Sequence, residues 1–349
     1  MDKIVNIVGW DNGGGLSRDI DILCSVLKEF GWTAVINGRT ARAKNQRLLE
    51  RVVDRARTQV GKVAVSRRLK TAPYDLNLHL EDVNLLFMPL AKRNVLIPNQ
   101  EWFRETTLAH LGSMDEVWVK TRLAERIFSN LGCKVRFLGW MGSDRRQVVP
   151  SVCKTLAGLH IAGASLWKGT ETVLDVWSEN SEWPLLRILR RTRGYDGRSI
   201  PWCKRASASN IQIITDRVDD EMLKTIQNDV AIHVCPSEAE GFGHTILEAM
   251  SVGAVVITSD APPMNEIVTP KTGLLVAVDR TESMGLGRRY FVSRGDLART
   301  IDKALRMSEE ARDSLGRAAR ASFEANNAAF RVRLQHGLEA VHAEPCPAV

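Results

Sequence analysis

Two glutamates, Glu240 and Glu248, sit in the segment EGFGHTILEAM with seven residues between them. The apolar run Ala231 to Cys235 before them reads as a buried strand. Ile246, Leu247, Ala249 and Met250 recur at helical spacing until Gly253, and Ala254 to Thr258 is a second apolar run. The result is a strand, a glycine turn, a helix and a strand. The first amides of a helix lack acceptors within the chain, and the helix dipole adds partial positive charge there. Gly241 and Gly243 lack the Cβ that would hold a ligand off the backbone. The amides of Phe242, Gly243, His244 and Thr245 thus form a candidate phosphate seat. Glu240, in the turn, can face a ligand beyond the phosphate. Glu248 can accept from two adjacent hydroxyls, which suits a ribose or a hexose. The bland alternative is a surface loop and helix of some other α/β protein.

EGFG and EAM, with Pro236-Ser237 before them and Glu266, Thr272 and Gly273 after, closely resemble the donor-site signature of the group 1 family of retaining, nucleotide-sugar-dependent glycosyltransferases. The resemblance implies an α/β protein of the GT-B fold, with two Rossmann-like doubly wound parallel-sheet domains facing across a cleft. It places Glu240 near the donor sugar and Glu248 on the ribose. It also implies that no metal is needed, that the donor is a nucleotide sugar with no further cofactor, and that anomeric configuration is retained. Family frequency points to UDP, and these residues remain compatible with GDP.

Elements able to position such a site recur along the chain. Ile4 to Val8 reads as a strand running into Gly13, Gly14 and Gly15, and Leu16, Ile20, Leu23 and Leu27 then follow at helical spacing until Gly31. A dinucleotide-binding turn would need glycine where Arg18 stands and an acid after the strand Thr33 to Ile36, where Asn37-Gly-Arg-Thr40 follows. An NADP-binding oxidoreductase is therefore the lesser alternative. In the resembled family the corresponding glycine loop sits across the cleft from the donor phosphates, and Gly13 to Gly15 look similar, so Gly14 and Gly15 are candidates. Asp19 and Asp21 mimic a metal-binding pair, but residues two apart on a helix point to different sides, so they read as solvated carboxylates. Tyr74 to Val83 reads as a strand. Resemblance gives its His79 a place at the donor sugar, against the commoner structural role of a lone histidine. Asn99 to Phe103 and Lys120-Thr121 follow further strands, at ends where α/β sheets bind ligands, and are placed on the acceptor side.

In the second half, Gly158 to Gly163 leads to Ser165-Leu-Trp-Lys-Gly169. The resembled family has an arginine and, five residues on, a lysine before glycine, both on the donor diphosphate. Lys168 matches the second, whereas Gly163 stands at the first. Either the amides from Gly163 to Ser165 substitute, or a cation comes from elsewhere, with Arg187, Arg190, Arg191 and Arg193 as candidates. The expected domains are 1–145 on the acceptor side, 146–325 for the nucleotide sugar, and a C-terminal helix and tail over 326–349 that packs back on the first domain. Trp140 to Pro150 reads as the linker.

The 349-residue length fits two domains. Six scattered cysteines without C-x-x-C spacing argue against a zinc site or a disulfide framework. With no signal-peptide pattern and no membrane-length apolar run, a cytoplasmic location is expected, with peripheral membrane association as a variant. The net charge is +7, yet Arg39 to Lys70 alone holds eleven basic and two acidic residues, so the rest of the chain is slightly acidic. Lys44, Arg47, Arg51 and Arg55 form a stripe opposite the apolar face of a helical pattern over 43–60. A solvated helix face is the ordinary reading of such a run, but the excess of one sign points to an anionic acceptor. A lipid-linked or envelope glycan at a membrane surface and a hydroxymethylated base in DNA stand level as that acceptor. A catalytically idle nucleotide-sugar-binding module is the alternative from another class.

Overall fold

The computed structural model describes residues 3–37, 72–147, 154–194, 199–200, 208–216 and 218–343. The basic run from Arg39 to Lys70, with its expected helix, lies outside the described residues. The chain divides into two compact units, one of Met1–Gly139 with Ala329–Val349, the other of Trp140–Ala328.

In the first unit the strands are β1 (Lys3–Val8), β2 (Trp32–Asn37), β3 (Tyr74–Glu81), β4 (Ala91–Pro98), β5 (Glu116–Val119) and β6 (Val135–Phe137). They form one parallel sheet in the order β2-β1-β3-β4-β5-β6. Helix α1 (Gly15–Glu29) joins β1 to β2 and buries Leu16, Ile20, Leu23, Val26 and Leu27, as its spacing predicts. α2 (Arg122–Asn130) joins β5 to β6, with the Thr121 side chain capping its first turn by accepting from the Ala124 amide. The chain reverses between β1 and β3, so the loops leaving those strands diverge, as at the ligand crevices of open α/β sheets.

A ladder of asparagines crosses this sheet. The Asn37 amide donates to Asn6, Asn6 to Asn77 and Asn77 to Asn94, each at 2.8 Å. Buried amides are tolerable only when partnered in this way.

The second unit repeats the plan with β7 (Thr155–Gly163), β8 (Leu186–Arg190), β9 (Ile211–Ile214), β10 (Val230–Cys235), β11 (Val255–Ser259) and β12 (Leu274–Val276), ordered β12-β11-β10-β7-β8-β9 and all parallel. Its helices are α3 (Thr170–Ser178), α4 (Asp220–Asp229), α5 (His244–Ser251), α6 (Met264–Ile267) and α7 (Arg294–Arg306), and α8 (Glu309–Ala343) closes the chain. The core joins Val173, Trp177, Ile188, Ile232, Val255, Leu297 and their neighbours. β10 and β11 are buried along their whole length, which explains their unbroken apolar sequence.

Two expectations are corrected here. Asp19 is no solvated carboxylate: it is buried in an ion pair with Lys120 at 2.5 Å, and Lys120 also donates to Asn99 at 3.1 Å. Burying either charge alone would carry a large desolvation penalty, which the attraction between the two and the added bond to Asn99 offset in part. The expected linker, as far as it is described, is anchored within the second unit. Asn327 brackets Gly142 through the Gly142 amide (3.1 Å) and carbonyl (3.0 Å), and Arg145 is buried against Gln227 and Asp220 at 2.9 and 2.8 Å. One element was not foreseen, an antiparallel hairpin of β13 (Val278–Met284) and β14 (Gly287–Val292) outside both parallel sheets.

Candidate functional site

In the second unit the strand order reverses between β7 and β10. The loops leaving these two strands, 164–169 and 236–243, therefore flank the sheet's switch point, where α/β sheets take ligands. The two loops touch. A Cβ on Gly169 would meet the Pro236 carbonyl oxygen at 2.3 Å, and Gly169 has φ +69°, so glycine is required there twice over. The Glu238 amide donates to the Trp167 carbonyl at 2.9 Å, tying the loops a second time.

These ties bring Lys168 to Glu240. The ammonium is paired with the Glu240 carboxylate and lies 3.5 Å from the Thr245 hydroxyl on the first turn of α5. Glu240 also accepts from the Ser237 hydroxyl at 2.6 Å. Ser237 is held in turn, since its carbonyl accepts from Ser259 at 2.8 Å. Lys168, Glu240 and Thr245, chosen from sequence, thus form one cluster with Ser237. Ser165 lies at the head of the same loop, where its hydroxyl accepts from the Trp167 amide at 3.2 Å.

Gly243 caps α5 with φ +116°, and a Cβ there would strike Ile267 at 2.9 Å. Its glycine is demanded by backbone conformation, whereas the Ile267 side-chain end could shift. The Phe242 and His244 rings meet edge to face at 5.5 Å, bracketing the start of the helix. Glu248 is only 2 % exposed, and one of its oxygens accepts from Gln227 at 3.0 Å. Gln227 is itself held by Arg145, so the once-expected linker orients this carboxylate through one intermediate side chain.

Gly163 ends β7 with φ +56° and open space where a Cβ would stand. Beside it in register is Arg190 at the end of β8, and the Arg191 amide donates to the Gly163 carbonyl at 2.8 Å. Arg190 is buried and reaches Glu171, on the first turn of α3, at 2.7 Å. Arg187 lies toward the other end of β8, paired with Asp229 at 2.8 Å. His160 ties β7 to β10 through the Val234 carbonyl (2.7 Å) and reaches the Thr170 hydroxyl (2.9 Å). Burial holds its pKa down to about 4, with Lys168 and Arg190 adding repulsion, so it is neutral near pH 7. Arg190 was among the sequence candidates. Ser237 enters the sequence reading only as a flank of the signature, and His160 carries no sequence signal, because strand position alone does not reveal which polar residue faces a switch point.

The remaining sequence candidates lie on the first unit. The Gly14 amide donates to the Asn12 side chain at 2.8 Å, and Gly15 opens α1. His79 corrects the expectation of a sugar-contacting residue: it is 0 % exposed. Its Nδ1 accepts from the Asn84 amide at 3.2 Å, and Nε2 donates to Asn94 at 3.1 Å. Burial lowers its pKa to about 4, so it is a neutral interior histidine at the end of the asparagine ladder. Nearby, Glu81 has φ +70° and a pKa raised by burial, though attraction to Lys120 opposes the shift. Among the described residues no group of three or more His, Cys, Asp or Glu side chains could hold a metal ion. Among them, too, no helix is long and apolar enough to cross a membrane.

Comparison with known proteins agrees with this geometry. Residues 200–322 match the family model described as glycosyl transferases group 1. No curated protein sequence matches the chain. Among solved structures, a glycosyltransferase from Rickettsia africae ESF-5 is similar at 12 % identity and TM-score 0.73, covering 99 % of this chain and 100 % of that one. Sucrose-phosphate synthase from Thermosynechococcus elongatus is similar at 17 % identity and TM-score 0.73, covering 98 % and 99 %. HepE of Anabaena, solved in complex with UDP and glucose, is similar at 15 % identity and TM-score 0.65, covering 97 % and 100 %. At these identities the likeness speaks for the fold, and the family assignment rests on the matched segment. The two doubly wound parallel sheets have the GT-B architecture of these solved structures, and residues 200–322 are similar to the group 1 glycosyltransferases.

Proposed function

We propose that this protein is a retaining, metal-independent hexosyltransferase that moves a sugar from a nucleotide diphosphate donor, UDP in the first instance, to a hydroxyl of an anionic acceptor. The observation that carries the reading is the cluster of Lys168, Glu240 and Thr245 at the switch point of the second sheet, beside the start of α5, whose first turn no side chain caps. An ammonium has three donors, and Glu240 and Thr245 leave room for a third contact to a diphosphate oxygen. The amides of Phe242 to Thr245 and the positive end of α5 add to the attraction. HepE, similar in fold, was solved with UDP and glucose, which supports a nucleotide-sugar donor here.

In the proposed reaction the bond between the anomeric carbon and the diphosphate oxygen breaks, and the acceptor oxygen bonds to that carbon from the same face. The departing phosphate takes the acceptor proton. The chief task of the protein is to stabilise the charge that develops on the diphosphate. Lys168 supplies one cation and Arg190, level with Gly163, supplies the second in place of the family arginine. Glu240 faces the sugar, and Glu248 accepts the ribose hydroxyls in the orientation set by Gln227. Isothermal titration of the full chain with UDP-glucose and GDP-mannose tests the donor, and mass spectrometry of the products tests transfer. Failure of every nucleotide sugar to bind at millimolar concentration overturns the proposal.

The acceptor is read as anionic because of the charge of residues 39–70. A lipid-linked glycan and a hydroxymethylated DNA base both carry phosphates along a backbone or anchor, and the salt experiment described below separates them.

A further inference from the structure

The hairpin of β13 and β14 belongs to neither sheet, yet its second strand is fastened to both loops of the donor cluster. The Tyr290 amide donates to the Glu238 carbonyl at 2.7 Å. The Arg289 guanidinium pairs with the Glu238 carboxylate at 2.5 Å and lies over the Trp167 ring, 4.0 Å from its centroid. Phe291 takes another side of the same guanidinium at 4.6 Å, and Glu282 on β13 pairs with it at 3.3 Å. Trp167 immediately precedes Lys168, and Glu238 lies two residues before Glu240. One side chain therefore grips the neighbours of both charged groups in the cluster.

Loop residues carrying a charged pair need external support if their separation is to be held within a fraction of an ångström. Planarity matters here. A guanidinium can stack on an indole and fork to a carboxylate at once, which an ammonium cannot do. We infer that Arg289 is a positioning residue of the donor site, through which the hairpin fixes the distance between Lys168 and Glu240 and so the fit of the donor diphosphate. This rests on the donor reading given above.

The test compares R289A, R289K and E238Q in the full chain, with K168A as reference. UDP and UDP-glucose affinities are read by titration calorimetry, donor turnover by UDP release into water, and folding by thermal melting. The expected result is a loss of UDP-glucose affinity of about tenfold or more in R289A, which matches one charged contact, with a melting temperature close to that of the parent. R289K recovers only a minor part, whereas millimolar guanidinium ion added to R289A recovers most of it. If R289A melts early, E238Q takes its place, and its loss of affinity is expected not to add to that of R289K. Donor affinity within twofold of the parent in the arginine and Glu238 variants, with K168A impaired, overturns the inference and leaves the donor reading standing. Normal affinity in K168A as well overturns both. A fall in activity that tracks the loss of folded protein, without guanidinium rescue, also overturns the positioning role.

Discussion

Gly163 at the end of β7 lies level with Arg190 at the end of β8. The position that in the resembled family carries an arginine is empty space here, and a guanidinium stands on the adjacent strand instead. Arg190→Gln is expected to weaken UDP-sugar binding by roughly ten- to a hundredfold, the range for a lost hydrogen bond to a charged group. Its melting temperature should change little, because the partner Glu171 is well exposed. Unchanged affinity by calorimetry would return the second cation to the amides of Gly163 to Ser165.

Lys168→Ala and Glu240→Ala bear on the chemistry itself. Each is expected to lower turnover by about a hundredfold or more, in line with the removal of one preorganised charge-stabilising group. K168A should also raise the donor Kd, since in the proposed binding mode the Lys168 ammonium meets the diphosphate in the ground state. Steady-state kinetics of UDP release check this, and near-normal turnover in either variant removes that residue from the machinery.

Gly169→Ala addresses the contact between the two loops. With φ +69° and the Pro236 oxygen 2.3 Å from the new Cβ, the substitution must move one loop away from the other. A loss of about 2 kcal/mol or more is expected, with loss of donor binding. Gly163→Ala shares the positive φ but meets no atom, so its destabilisation should be smaller. Chemical denaturation of the two variants side by side makes the comparison.

Three buried histidines set an acid limit. His79 and His160 are held to about 4 and His233 to about 3, all by burial. A depressed histidine pKa means that between about pH 6.5 and 4 the unfolded chain binds the proton and the folded one does not. Stability is therefore fully present above pH 6.5 and falls as pH drops through this window, by up to about 1.4 kcal/mol per pH unit for each histidine. Urea titrations at pH 7, 5.5 and 4.5 should show the fall, and His233→Gln should make it shallower.

The acceptor is decided by salt and by lipid. If duplex DNA is bound, the logarithm of affinity should fall with that of salt by about 0.9 per phosphate neutralised, and charge reversal at Arg47, Arg51 and Arg55 should abolish binding. Flotation with anionic vesicles and no DNA retention selects the membrane-bound glycan.

Much of this architecture is legible in the chain. Short apolar runs alternate with helical spacings, and such runs are buried on both faces only in parallel sheets, as β10 and β11 are. The EGFG and EAM segments mark a helix start whose neighbours are close in sequence. What escaped depends on distant partners. Asp19 is buried because Lys120, far along the chain, comes to meet it. His79 lies inside because Asn94 and the Asn84 amide occupy its ring. The hairpin escaped because Val278 to Val292 shows little apolar alternation. Its strands hold by backbone pairing and by arginines lying over Phe291.

Gln227 presents its carbonyl to Arg145 and its amino group to Glu248. An amide in that seat has a sense of direction: turned over, it would press like against like at both ends. Leucine would remove one hydrogen bond from the Arg145 guanidinium and one from Glu248, and glutamate would set two anions face to face. Neutrality and polarity are demanded together, so the aim of the Glu248 carboxylate is inherited from the amide behind it.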